Sequence, residues 1–499
     1  MTRTKRVAVV GAGAGGLAAA AILSRDFDVS VYEHAPTPGG KIRQADLNGA
    51  KIDVGPTVFT MRWVFEDIFN AAGSDFATEV STNKLEILAR HGWRDGSSLD
   101  LFADKHQSAE AISVFASPRE AKNFLAFCAR TEKIYNTLRD PFICAQTPSL
   151  SGLIKNRNPR ALLDISPFTT LWQALSRQFQ DSRLRQLFGR YATYCGSSPF
   201  SSPATLMLIA HVEQEGVWAV EGGMQSVAIA LAKAAEKNGA TLHYQASVKT
   251  ILTSGGQVSG VELANGERFD TDFVVFNGDP FAIEEGMFGS AAKRAIKLPS
   301  TVTRSQSAMT WALAAETDGF DLSMHNVFFS DDYKSEFDAV FTHRKIPETP
   351  TTYVFAPDCK DADNNITAPD QLKRLFCLIN APPTEDPNAF DEQETEQCRQ
   401  RMLDHLQQCG LTIHSDATPI SATTPQDFSR MFPGSRGALY GMASHGWQAS
   451  FQRPGARTKL PGLYLAGGGV HPGPGVPMAA LSGKAAAKAI MQDCGSTLQ

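Results

Sequence analysis

The residues best suited to chemistry lie near the two ends of this 499-residue chain. Val10-Gly11-Ala12-Gly13-Ala14-Gly15-Gly16 follows an apolar run, Val7 to Val10, and leads into an alanine-rich stretch. Gly11, Gly13 and Gly16 spell G-x-G-x-x-G. The first glycine permits a tight strand-to-helix turn, the second lets backbone approach a pyrophosphate, and the third lets helix and strand pack closely. The N–H groups of such a helix start face the phosphates. Glu33 stands 22 residues after Gly11, at the end of a second apolar run. An acid there accepts hydrogen bonds from ribose hydroxyls and disfavours a 2′-phosphate. Fingerprint, flanking strand, helix and Glu33 together predict a dinucleotide site.

Further glycines suggest a cofactor longer than NAD. Gly39-Gly40-Lys41 adds a second glycine pair beside a cation. Asp53-Val54-Gly55-Pro56-Thr57 is another tight turn, able to bring backbone against a flat ring. Near the other end, Gly467-Gly468-Gly469-Val470-His471-Pro472-Gly473-Pro474-Gly475-Val476-Pro477-Met478 precedes a helical segment. That is a second helix N-terminus available to an anionic group, and reduced flavin carries such charge. The 40 glycines are an ordinary total, but they crowd into the first 55 and last 45 residues.

These groups need elements to hold them. The first 55 residues read strand, glycine turn, helix, strand, loop. Residues 100–215 lack period-2 runs and read as mainly helical, with Leu171, Leu175 and Phe179 on one face. A helix is expected at 224–237, then strands at 241–248, 257–263 and 272–276. Strand patterns recur at 308–315, 352–355 and 375–378, a helix at 391–408, and a final strand and helix at 463–466 and 478–492. The fold class expected is α/β: a discontinuous Rossmann-like FAD-binding domain, an inserted mixed α/β substrate domain and a mainly helical region. The expected boundaries are 1–75, 216–280 and 451–499 for the FAD-binding parts, 76–215 for the helical insertion and 281–450 for the substrate domain.

Composition narrows the function. With 42% hydrophobic residues, 20% charged and a net charge of −5, nucleic acid is not an expected partner. The eight cysteines form no C-x-x-C pair and no Cys/His cluster, so no metal site is expected, and a reduced, cytoplasmic setting is. Arg3, Lys5 and Arg6 before an uncharged run to Ser24 imitate a signal peptide. The four glycines in that run and the strand after it read better as βαβ. No stretch has the ~20 continuous apolar residues of a spanning helix.

The motifs G-A-G-A-G-G-L, G-G-K, D-V-G-P-T and L-Y-L-A-G-G-G-V-H-P-G-P-G-V-P-M-A-A-L-S-G resemble those of FAD-dependent carotenoid desaturases of the bacterial phytoene-desaturase type. R-Y-A-T-Y-C-G-S-S-P-F at 190–200 and A-L-Y-G-M-A-S-H-G-W at 438–447 resemble one subgroup, the 1-hydroxycarotenoid 3,4-desaturases or methoxyneurosporene dehydrogenases. The resemblance spans residues 7–484. It implies FAD, with Gly11, Gly13, Ala14, Gly15, Gly16 and Leu17 at the pyrophosphate, Glu33 at the ribose and Gly40 and Lys41 along phosphate and ribityl. It puts Gly55, Pro56 and Thr57 by the flavin and the Val248 backbone at adenine. Gly467 and Gly468 fall by the ribityl, and Val476, Pro477 and Met478 at the pyrimidine edge. Gly468 stands where amine-oxidase relatives usually carry an acid, which favours a desaturase. The turn Arg25-Asp26-Phe27-Asp28 lacks the usual glycine.

The implied reaction removes two hydrogens from neighbouring carbons of a polyene end group. In a 1-hydroxy carotenoid C4 is allylic, so hydride loss leaves a cation spread over the chain, and proton loss from C3 completes the double bond. Positioning and water exclusion matter more than a strong base. No Ser/His/Asp arrangement or defensible carboxylate pair is visible; His445 and His471 are the catalytic candidates. Phe59, Trp218, Trp447 and Phe451 are candidates for an apolar substrate tunnel. No second fingerprint marks a nicotinamide site, so oxygen or a quinone is expected as acceptor. Lys155, Arg157, Arg160, Arg177, Arg183, Arg185 and Arg190, against Asp164 and Asp181, suggest a peripheral membrane face with Leu171, Leu175 and Phe179. Alternatives on the same scaffold are a phytoene-type desaturase, an isomerase or ketolase, an amine oxidase, or a flavin-free lipid escort.

Overall fold

The computed structural model describes residues 4–147, 168–299, 302–359, 372–386, 388–414 and 420–495. The run Val7–Val10 forms the strand Arg6–Val10, the centre of a five-stranded parallel sheet. Asp28–Tyr32 and then Thr241–His243 lie on one side; Phe273–Phe276 and Leu463–Leu465 lie on the other. Parallel strands are apolar throughout because both faces are covered. Here the helix Ala14–Leu23, all ten of its residues buried, packs against Gln225–Lys237 and Val476–Asp493. The final strand and helix therefore complete the sheet begun by the first.

The expected strand 241–248 divides in two. Gln245 takes a left-handed φ of +55°, and the Ala246 N–H donates to the Glu33 carbonyl at 2.8 Å. The chain leaves the parallel sheet there and enters an antiparallel sheet of Val248–Ser254, Gln257–Leu263 and Arg268–Asp270.

A third, mixed sheet is built on the long strand Ser307–Gly319. That strand pairs antiparallel with Lys373–Ala381, Leu411–His414 and Ile420–Thr423. From Lys373–Ala381 the sheet continues through Thr352–Phe355 and His325–Phe328 to Ile87–Gly92 and Ser98–Phe102. The last two strands fall in the span 76–215, as does the short strand Thr82–Lys84, which pairs with Trp218–Val220; the other elements among its described residues are helices. The pattern of the last two strands is hard to read locally: Ile87–Gly92 carries Arg90 and His91, and it pairs in parallel with residues more than two hundred positions away. Arg90 is neutralised across the hairpin by Asp100, with Nε to Oδ1 at 2.7 Å.

The proposed membrane face is corrected by burial. Leu171, Leu175 and Phe179 are fully buried, and Phe179 packs its ring on Phe127 and Phe188. The amphipathic helix Leu171–Gln178 turns its apolar side to the core. Arg190 is buried beside Glu213, and Arg183 is paired with Asp181, so neither contributes an exposed basic surface. Lys155, Arg157, Arg160 and Asp164 lie outside the described residues. Among the described residues no helix is long and apolar enough to cross a membrane.

Candidate active site

The C-terminal ends of the parallel strands open into a cavity of about 1310 Å³. Open parallel sheets place ligand sites at that end. Val10, Tyr32 and Phe276 line it from the sheet; Leu206, Ile209 and Val212 line it from the helical region. Thr310, Tyr353, Phe376, Leu378 and Asn380 line it from one face of the mixed sheet, where alternate residues share a side.

Two helices start at this cavity, and neither start is capped by a side chain. Ala14–Leu23 begins after Gly13, and Val476–Asp493 begins after Gly475. Uncapped N–H groups at both starts are free to meet anionic groups. The space between them admits no side chains: a Cβ on Gly15 would sit 2.7 Å from Asn277 Oδ1 and 2.8 Å from the Gly467 nitrogen. The buried cations Lys41 and Arg453 act on the carboxylate of Asp279, which also pairs with Arg304 at 3.9 Å. Burial pushes the Arg453 guanidinium down to about 10 and lowers the Lys41 amine; Arg453 donates to the Gly468 carbonyl at 3.2 Å. Two glycine-walled helix starts and an excess of buried positive charge fit a diphosphate-bearing cofactor with an electron-rich ring.

Glu33 is 3% exposed. Its Oε2 accepts from the Ala12 N–H at 2.6 Å and its Oε1 from the Ala35 N–H at 2.8 Å, with His34 Nδ1 2.9 Å away. Burial works against the charged form, but the bonds from His34, Ala35 and Ala12 outweigh it and hold the carboxyl below its usual range. The carboxylate is thus fixed in the cavity wall with lone pairs to spare.

The cavity wall contains Gly11, Gly13, Ala14, Gly15, Glu33, Gly40 and Lys41. It also contains Gly55, Pro56, Thr57, Val248, Gly467, Gly468, Val476, Pro477 and Met478. Gly16 and Leu17 stand behind it; Gly16 is pressed against the Gly11 carbonyl and Leu17 is in the core. Trp447 and Phe451 line the cavity. Phe59 and Trp218 do not: they pack on one another in an aromatic cluster with Phe65 and Phe76.

Neither candidate histidine is in the wall. His445 Nε2 accepts the Ser198 N–H at 3.0 Å, and His471 Nε2 bonds the Phe142 carbonyl at 2.9 Å. Burial pushes each imidazole down to about 4, so both are neutral and tie loops together. Three groups in the wall were not singled out from the sequence. Asn277 donates to the Gly11 carbonyl at 3.2 Å, at the end of the strand beside the fingerprint. Arg453 spans the carbonyls of Tyr440, Met442 and Gly468. Tyr353 bonds Thr57 Oγ1 at 2.6 Å. A polar residue ending an apolar strand run was a signal for Asn277; the others come from distant segments and left none.

A two-helix dinucleotide cradle opening into an apolar chamber defines a flavoprotein oxidoreductase. The chain belongs to the family of flavin-containing amine oxidoreductases, whose model matches residues 14–491. Its cofactor is FAD. Within that family it belongs with the carotenoid desaturases. The hydroxyneurosporene desaturase of Rubrivivax gelatinosus is 49% identical, covering 99% of this chain and 95% of its own. That of Cereibacter sphaeroides is 42% identical, over 98% of each. Among solved structures, putrescine oxidase bound to putrescine superposes with a TM-score of 0.63 at 16% identity, covering 98% of this chain and 99% of its own. A fatty acid isomerase from P. acnes superposes at 0.59 and 13%, over 99% of each. These two likenesses show the fold.

Proposed function

We propose that this carotenoid desaturase introduces the C3–C4 double bond into 1-hydroxylated acyclic carotenoids. The observation that carries this reading is the continuity of the cavity. The cofactor cradle leads directly into a chamber walled by Leu206, Leu208, Ile209 and Val212 on one side and Phe142 and Ile143 on another. A hydrocarbon chain gains about 25 cal/mol for each Å² it buries in such walls. The volume exceeds the roughly 300–1,000 Å³ usual for one small ligand, leaving space for a second, elongated one.

Bound FAD supplies a two-electron acceptor. The protein's part is to hold the end group against the Gly55-Pro56-Thr57 turn and to exclude water. Glu33, with Gly11, Gly13, Ala14, Gly15, Gly16 and Leu17, fixes the adenosine and diphosphate end. Lys41, Gly467, Gly468 and the start at Val476-Pro477-Met478 surround the other end. Of the histidines in the described cavity wall only His34 is present, and it is held by Glu33. The arrangement therefore relies on the acidity of a polyene cation, which sheds its C3 proton readily, and not on an imidazole base.

We also propose peripheral membrane contact at the cavity mouth, in a cytoplasmic setting, with oxygen or a quinone reoxidising the cofactor. Phe168 is 80% exposed, lines the cavity and meets Trp447 edge-on at 5.5 Å. An exposed Phe168 against a half-buried Trp447 beside an apolar chamber suits entry of a substrate from lipid. Expression in cells making neurosporene and its 1-hydroxy derivatives tests the reading. New absorption at longer wavelength only with the hydroxylated substrate supports it; conversion of phytoene contradicts it.

A further inference from the structure

Thr57, beside the glycine turn, and Tyr353, on the mixed sheet, both line the cavity. Their hydroxyls are 2.6 Å apart, and Tyr353 Oη lies 2.7 Å from His325 Nδ1. His325 is 2% exposed, and its Nε2 is buried with no hydrogen-bond partner. The chain Thr57–Tyr353–His325 therefore has no outlet on the protein side. Its remaining capacity is on the hydroxyl end, because each hydroxyl offers one proton and two lone pairs. A polar chain in a largely apolar chamber costs desolvation unless something polar meets it.

Burial, together with the charge of Arg190, pushes the His325 imidazole down to about 3, so it is neutral. Burial also raises the Tyr353 phenol, keeping its proton. A neutral chain can reverse its direction, donating to or accepting from an oxygen in the cavity. Paired neutral hydroxyls lose less on desolvation than a charged group would when an alkyl end group packs against them.

We infer that Thr57 and Tyr353, backed by His325, form the subsite for the oxygen of the substrate's end group and select hydroxylated over plain hydrocarbon ends. This rests on the C3–C4 reading above. In a 1-hydroxy end group the oxygen is attached two carbons from C3, so its site must adjoin the place of reaction. Thr57 follows Gly55 and Pro56 in the turn at the cofactor end of the cavity, while Tyr353 approaches from the opposite sheet. Tyr353 is a positioning and specificity residue here, holding the oxygen so that C3 and C4 fall in register.

The test uses the FAD-loaded protein with 1-hydroxyneurosporene and neurosporene, and compares the two kcat/KM values. In Tyr353→Phe the preference for the hydroxylated substrate falls about tenfold, the scale of one hydrogen bond lost in a dry site. Thr57→Val does the same, whereas Thr57→Ser, which keeps the hydroxyl, retains the preference. If Tyr353→Phe does not hold flavin, the Thr57 pair alone decides. An unchanged preference in Tyr353→Phe or Thr57→Val overturns the inference and leaves the C3–C4 reading standing. So does a variant that changes only the flavin spectrum, since the hydroxyls would then serve the cofactor. Wild-type protein without any preference contradicts the reading itself.

Discussion

At the scale of single residues, Glu33 carries the clearest consequence. Its carboxylate joins the glycine turn, through the Ala12 N–H, to the second strand. Removing it leaves a buried N–H without a partner and a ribose without an acceptor. Glu33→Ala is expected to weaken FAD retention at least tenfold, read by flavin absorbance after gel filtration. Glu33 was visible in the sequence because its distance from the fingerprint is set by one helix and one strand. The Thr57–Tyr353–His325 chain was not. Thr57 was legible as part of a turn, but its partners lie about three hundred positions further on, and hydroxyl pairs have no sequence period.

At the scale of elements, the helices Ala14–Leu23 and Val476–Asp493 touch through glycine. A Cβ on Gly483 would fall on the Gly15 carbonyl oxygen, far inside contact distance. Gly483→Ala must push the last helix off the first, widening the cradle. It is expected to cost about 1–3 kcal/mol of stability and to lower FAD occupancy; thermal unfolding and flavin content check both. The helices 224–237, 391–408 and 478–492 were readable from period and stop signals and lie where expected, within two residues. The strands Ile87–Gly92 and Ser98–Phe102 at one end of the mixed sheet were not readable, since Arg90 and His91 interrupt the apolar run of the first and it depends on a distant partner. The face Leu171, Leu175, Phe179 was read correctly as apolar but assigned to lipid. Periodicity says that a face is buried, not what buries it.

At the scale of the whole molecule, four histidines are held in dry surroundings: His91, His325, His405 and His471 are each at most 2% exposed. Burial keeps His91 well below its ordinary value, His325 at about 3 and the other two at about 4. The unfolded chain, with histidines near 6.5, takes up protons that the folded chain refuses. Stability is therefore full above pH ~6.5 and is lost as pH falls from there toward 4. Each histidine contributes a slope of up to about 1.4 kcal/mol per pH unit within that window. Urea midpoints measured at pH 7.5, 6 and 5 should fall steadily; a flat profile contradicts the assignment.

The same scale holds the main lesson of the glycines. Their concentration at the two ends was legible, and the structure shows why: the last strand adds to the first sheet, and both glycine segments wall one cavity. The substrate end of that cavity is assembled from the helical region and the mixed sheet, and no local pattern announces such a meeting. Its apolar walls make the claim of a polyene substrate testable at the level of atoms. The most direct measurement is mass spectrometry of product formed from 1-hydroxyneurosporene fully deuterated at C3 and C4. The account predicts loss of one deuterium from each carbon and a chromophore longer by one double bond. Substrate returned with its label intact, or unsaturation formed elsewhere with all deuterium retained, would contradict it.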